Sequence, residues 1–187
     1  MKSSCTSAPS RKAYTVVELL IVIVIVGILA SVGISAMESW GEQMLPVAAR
    51  RLAADLRLAR QLAIDQNTTY EVQFDLTGQS YRIVHTGTAT VPLLVDPLAP
   101  PGSSQSGYVV PMARYQSRSS QAAGVRFKSV RVPVENRTVT NIPFASTGGA
   151  GPTRSADTEI TLIHGSGASE TSLILTVSWQ TGQVWMP

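Results

Sequence analysis

The chain has 187 residues, room for one membrane segment and one domain of ordinary size. Only 14% of residues are charged, against about 25% in an average soluble domain, and the single cysteine, Cys5, excludes a disulfide framework and a cysteine-based zinc site. The formal net charge is +3, but Lys2, Arg11 and Lys12 all precede the first apolar segment; without residues 1–13, Lys plus Arg numbers 12, equal to Asp plus Glu, which excludes a global nucleic-acid-binding charge.

Residues 19–36 form a run without a single charge. As a helix it is roughly 27 Å long, close to the ~30 Å of a bilayer core. A secretory signal has an apolar region of ~7–15 residues and then a small-residue cleavage site. This run is too long for that, and its helical pattern continues beyond it. The expectation is a single membrane span over about 17–38. Arg11 and Lys12 place its N-terminal flank in the cytoplasm, and Trp40 falls where an interfacial aromatic belongs on the far side. A globular core has little use for a helix apolar on all sides.

Glu18 heads this run. A carboxylate in a membrane helix is expensive and takes a partner, though a headgroup-level position lowers the cost. If the chain is cut after Ala13, Tyr14 becomes the new N-terminus and carries a positive amine. The Glu18 carboxylate of a neighbouring copy then neutralises that amine when helices pack side by side.

The stretch "AYTVVELLIVIVIVGILASVGISAM" (13–37) resembles the class III signal of type IV pilins and type II secretion pseudopilins. That family has a short basic leader, a small residue (usually Gly), then Phe-Thr-Leu-Ile-Glu and an apolar helix. Ala13 stands in the place of the Gly and Tyr14 in that of the Phe; Thr15 and Glu18 match. The resemblance implies cleavage between Ala13 and Tyr14 by prepilin peptidase, loss of the leader 1–13, N-methylation of Tyr14, and assembly through Glu18.

Residues 44–67 read as an amphipathic helix. Leu45, Ala48, Leu52, Leu56, Ala59 and Ala63 fall three or four apart and make one apolar stripe. Arg50, Arg51, Arg57 and Arg60 lie off the stripe and are expected in water. Pro46 marks a boundary or kink between the two halves of a helix running over 14–66.

The period then changes to two. Residues 69–75 and 80–85 alternate as a hairpin, and 86–123 are irregular, with five prolines and one candidate strand at 107–115. Strand patterns return at 124–134, 137–144, 158–165, 171–179 and 182–186, separated by Gly-rich turns. Short, sequential, turn-linked strands imply antiparallel sheets. The order of a hairpin after the helix, Phe144-x-x-x-Gly148 and a terminal "SWQTGQVWM" is similar to minor pseudopilins of the GspH/FimT type, with Gln183 where a Thr-Gly-Arg-Val ending has Arg.

Chemistry-bearing patterns are few. His85 and His164 sit at strand ends with no cluster of metal-ligand spacing, so no metal site is expected. There is no G-x-S-x-G, and "GGAG" (148–151) lacks the lysine of a phosphate cradle. No catalytic residue and no cofactor are assigned. One basic cluster stands out: Arg114, Arg118, Arg126, Lys128, Arg131 and Arg137, with Glu135 the one acid among them and Tyr115 and Phe127 interleaved. Exposed arginines there would contact DNA phosphates without sequence preference. Alternate strand residues facing water explain the same pattern, and the zero side-chain charge beyond residue 13 favours that explanation.

The fold class expected is therefore α+β and pilin-like: a long N-terminal membrane-spanning helix packed on an antiparallel, sandwich-like domain over 67–187. The resemblance implies a non-enzymatic minor pseudopilin of a type II secretion system, in the bacterial inner membrane with its C-terminal domain periplasmic, and in a pseudopilus after assembly. The implied partners are prepilin peptidase, other pseudopilins or pilins through the N-terminal helix, membrane lipid and secreted cargo. The alternatives are a minor type IV pilin acting in pilus assembly or DNA uptake, with nucleic acid as partner, and an unrelated single-pass anchor bearing an enzyme domain.

Overall fold

The computed structural model describes residues 15–99, 107–116, 124–151, 154–165, 167 and 170–186; within the long helix the side chains of 30–42 are outside the description. Ala13, Tyr14, Arg118 and the expected interfacial position of Trp40 therefore lie outside the described residues. The chain divides into two compact units, 1–39 and 40–187.

Helix α1 spans Val16–Asp65. It starts at Thr15, whose hydroxyl and carbonyl both accept from the Glu18 N–H, at 3.3 and 3.1 Å. Thr-x-x-Glu at a helix start is the capping-box spacing, and it sets the Glu18 carboxylate in the first turn, at the positive end of the helix dipole. Among the described residues no helix is long and apolar enough to cross a membrane.

Pro46 does not end the helix. It removes one intrahelical N–H bond, but Leu45, Ala48 and Ala49 beside it are at most 5% exposed. Packing of these neighbours holds the backbone helical where propensity alone would break it. The helix stops at residues 65–68, where Gln66 and Thr68 return N–H groups to the Leu62 and Ala63 carbonyls and Asn67 takes a positive φ of 46°.

Among the described residues of the second unit nine strands form two antiparallel sheets. The four-stranded sheet runs β3 (Tyr108–Pro111), β2 (Ser80–His85), β1 (Tyr70–Asp75), β6 (Asn141–Phe144). The five-stranded sheet runs β5 (Arg137–Thr138), β4 (Val125–Val132), β7 (Thr158–His164), β8 (Thr171–Val177), β9 (Val184–Trp185). Both edges of the first sheet carry a proline, Pro111 and Pro143, which an edge tolerates because no second ladder needs the missing donor.

The expected strand 137–144 is two strands in different sheets. Between them Val139 bonds its N–H to the Val130 carbonyl while the Thr140 carbonyl accepts from Phe74, so the chain changes sheet within one residue. Buried Val139 on the way gives the step no sequence mark, since the alternation runs straight through it.

The core joins α1 to the inward faces of both sheets. All six residues of the expected stripe are buried, joined by Ala49 and Ala53. Phe127 of β4 bridges the sheets by meeting Phe74 edge-on at 5.4 Å and Tyr81 at 6.2 Å. The Gln79 amide completes the bridge: its carbonyl accepts from the Phe127 N–H at 2.6 Å and its NH2 donates to the Phe127 carbonyl at 3.3 Å, which mimics a strand partner.

Candidate functional site

The first stretch of α1 is a bare apolar cylinder. From Val16 to Leu29 every Val, Ile and Leu is 51–80% exposed, on all sides of the helix. Glu18 is the single charged group of this stretch. Burying one large aliphatic side chain is worth about 1.5–3 kcal/mol, so twelve such residues left in water are a large drive toward lipid or toward other helices. β-branched Val and Ile are also mediocre helix formers in water. The residues chosen suit an apolar surrounding and not an aqueous one.

The second unit supports α1 by a charged network that the sequence pattern does not reveal. Asp55, 3% exposed, accepts from the Tyr81 hydroxyl at 2.5 Å, the Tyr108 hydroxyl at 2.8 Å and Arg51 Nε at 3.0 Å. Arg51 extends the network through Nη2 to the Tyr108 oxygen at 2.6 Å and to Asp96 at 3.1 Å. Asp96, 2% exposed, also accepts from Arg114 Nη1 at 2.5 Å and from the Leu98 N–H at 3.0 Å. Burial and the Asp55 carboxylate together push the Tyr81 and Tyr108 hydroxyls well above the usual tyrosine range. Burial opposes the Arg51 charge, but Asp55 and Tyr108 more than offset it, and the guanidinium is held more firmly protonated than usual.

Two further arginines of α1 serve the C-terminal end. Arg60 Nε donates to the carbonyls of Thr181 and Gly148, at 2.8 and 3.2 Å, and Arg57 Nη2 to that of Val184 at 3.3 Å. Arg60 thus joins the Phe144–Gly148 element to the terminal "TGQVW" element. Gly182 is required there: its φ is 65° and an added Cβ would lie 2.1 Å from the Gly148 oxygen. Of the four helix arginines expected in water, only Arg50 is exposed without a bond to the domain among the described residues. Arg57 is exposed as expected while Arg51 and Arg60 are half-buried, and all three reach carbonyls or carboxylates far along the chain.

Among the described residues the members of the basic cluster each have a partner. Arg114 is paired with buried Asp96; Lys128, at the β4 bulge, pairs with Glu170 at 2.6 Å; Arg131 pairs with Glu159 at 3.1 Å; Arg137 pairs with Glu135 at 3.0 Å. Arg126 donates to the Gly165 carbonyl. Three of the acids, Asp96, Glu159 and Glu170, come from outside the cluster's own stretch of sequence, which is why the window looks unbalanced on paper. His85 bonds Thr68 Oγ1 at 2.8 Å and stacks edge-on against Tyr70, while His164 ends β7. Among the described residues no group of three or more His, Cys, Asp or Glu is placed to hold a metal.

Residues 48–181 match the family model described as Type II transport protein GspH, and residues 9–34 match the prokaryotic N-terminal methylation motif. Solved structures of similar fold include the type IV minor pilin FimU of Pseudomonas aeruginosa, in two crystal forms. One is 16% identical, with TM-score 0.47, over 78% of this chain and 90% of that one. The other is 17% identical, with TM-score 0.45, over 76% and 92%. The minor pseudopilin EpsH of the Type 2 Secretion System of Vibrio cholerae is 10% identical, with TM-score 0.48, over 76% of this chain and 95% of that one. No curated protein matches the chain.

Proposed function

The chain belongs to the GspH family of type II transport proteins, and from that premise we propose that it is a minor pseudopilin of a type II secretion system. Prepilin peptidase cuts between Ala13 and Tyr14, and Tyr14 is then N-methylated, in keeping with the methylation motif over 9–34. Residues 17–38 anchor the chain in the inner membrane, N-terminal side in the cytoplasm and the β domain in the periplasm. The helices then leave the bilayer side by side and build a short filament that drives folded proteins outward. Glu18 pairs with the Tyr14 amine of the adjacent subunit. The protein works by assembly, not catalysis.

The observation that carries this reading is the uncovered cylinder from Val16 to Leu29 with its only charge in the first turn. Such a surface needs a cover from outside the chain, and one carboxylate at its head selects a cationic partner there. The ion pairs of Lys128, Arg131 and Arg137 support a secretion subunit over a DNA-binding minor pilin, since cations held by carboxylates leave less charge for phosphates. The test is the intact mass of the chain recovered from membranes of its own host. Loss of residues 1–13 with gain of one methyl group is expected. A full-length mass beginning at Met1 overturns the reading.

A further inference from the structure

An antiparallel strand turns the N–H and C=O of every second residue to the same side. Just past β8 the Ser178 N–H donates to the Gln183 carbonyl at 2.9 Å, on the β9 side. Counting back by two, Thr176, Ile174 and Ser172 face that side as well. β9 pairs only with Thr176 and Val177. The N–H and C=O groups of Ser172 and Ile174 therefore lie along an edge without a partner among the described residues. The other edges are blunted, as natural sheets require. On β6, Pro143 has no N–H, Arg154 Nη2 donates to the Asn141 carbonyl at 2.6 Å and the Ala145 N–H bonds the Gly149 carbonyl at 3.0 Å. On β4 the Gln79 amide takes both groups of Phe127, and on β9 Arg57 takes the Val184 carbonyl. Pro111 removes an outward N–H from β3, and β5 is two residues long. The open stretch of β8, "TSLIL" (171–175), has no proline, no charge and an unbroken register with β7.

We propose that the edge of β8 at Ser172 and Ile174 is a docking site for an extended segment of a different polypeptide, which adds to the five-stranded sheet in line with β9. Two donors and two acceptors at strand spacing select a partner in strand conformation, and side chains select its centre. Ile174 and Trp185 lie on one face of the sheet and are 38% and 64% exposed, so the residue opposite Ile174 falls beside two apolar groups. The other face offers half-buried Leu173 and buried Leu175. A charge at the centre of the segment would lose water and meet no counter-charge, because Glu170 at the Thr171 end is already joined to Lys128. The fitting segment is uncharged and aliphatic at its centre. A second copy fits less well. In the antiparallel register that meets all four groups, Glu170 of each copy comes to the place beside Thr176 that β9 of the other holds. A free segment meets no such obstacle. About five paired residues cover far less than the roughly 800 Å2 per partner of a stable pair, so the contact is weak and reversible. Nothing in this inference depends on the first turns of α1, and it stands apart from the assembly reading.

The test is amide hydrogen exchange of the isotope-labelled full chain in micelles, read residue by residue by NMR. The probe is the terminally blocked peptide Lys-Thr-Val-Thr-Val-Thr-Lys at millimolar concentration. The reference is the same peptide N-methylated at its central amides, which cannot donate to a strand. The expected result is that the probe slows exchange at Ser172 and Ile174 by at least about fivefold. Leu173 and Leu175, which face β7, should not change, and the reference peptide should have no effect. Exchange at Ser172 and Ile174 untouched by the probe overturns the inference, as does equal slowing by the reference peptide. Slow exchange without any peptide also overturns it: if independent of protein concentration, a segment of the same chain covers the edge, and if it deepens with concentration, a second copy does.

Discussion

From Val16 to Leu29 α1 leaves its large aliphatic side chains more than half exposed, whereas from Leu45 to Ala63 the same helix buries eight apolar residues along one side. The residues differ as much as the burial does. The first stretch is Val, Ile and Leu all round; five of the eight buried residues in the second are alanines, Ala48, Ala49, Ala53, Ala59 and Ala63. Small residues let the helix approach its own sheets closely. Bulky ones left exposed offer a surface to something else. One helix thus carries two interfaces, one satisfied within the fold and one left open. A substitution should be felt in folding or in assembly according to which stretch it falls in.

Glu18→Ala breaks the comparison most sharply. The Tyr14 amine of a neighbour would lose its counter-charge in apolar surroundings, where an unpaired charge costs several kcal/mol. Incorporation into filaments should drop about tenfold or more, read as the fraction sheared from cells and pelleted. The denaturation midpoint of the chain in detergent should not move. A filament yield unchanged by the substitution removes Glu18 from assembly.

Next come matched leucines. Leu56 is fully buried and Leu20 is 60% exposed. Leu56→Ala should cost about 3 kcal/mol in urea unfolding of the full chain in micelles, the middle of the range for buried leucines. Leu20→Ala should change the same measurement by less than about 0.5 kcal/mol. Equal losses at both positions would show that the first stretch is packed within the fold after all.

Legibility in the sequence followed the same division. Periodicity located the stripe Leu45 to Ala63 because each position repeats a local rule, three or four residues on. Strands with turn signals at both ends, such as Tyr70–Asp75 and Ser80–His85, were equally readable. The change of sheet at Val139–Thr140 was not, since it leaves the alternation intact and is decided by the carbonyl and N–H partners at Phe74 and Val130. The Asp55 network was hidden for a related reason. Tyr81, Asp96, Tyr108 and Arg114 lie 26 to 59 positions from Asp55, and an aspartate in a helix pattern looks like a solvent residue until two tyrosines close over it. The glycine at 182 read only as a turn, whereas its need comes from the Gly148 oxygen above it.

That hidden network sharpens the comparison further. Asp55 lies among the buried alanines yet is charged, and its removal leaves two buried hydroxyls and one guanidinium facing a gap. Asp55→Ala should destabilise the chain by about 3 kcal/mol. Arg50→Ala, on the exposed side of the same helix, should cost less than about 0.5 kcal/mol. If the two substitutions match in urea unfolding, the network contributes nothing beyond its surface members.

The smallest effect is one of pH. Burial and Asp55 raise the Tyr81 hydroxyl far above its ordinary value, which means that the folded state binds the phenolic proton more tightly than the unfolded state. Stability from this group is complete below the unfolded value of about 10 and declines as pH rises above it, because only the unfolded chain releases the proton. By pH 11 a single strongly shifted tyrosine lowers stability by about 1.4 kcal/mol relative to pH 8. Tyr81→Phe removes the titrating group and should flatten the fall by that amount, whatever it costs at neutral pH through the lost bond to Asp55. The comparison that matters is the slope of stability between pH 9 and 11, followed by urea midpoints. An identical slope in the variant would mean that Tyr81 ionises as freely in the folded chain as in the unfolded one, and the closed hydroxyl cluster between α1 and its sheet would have to be open to water.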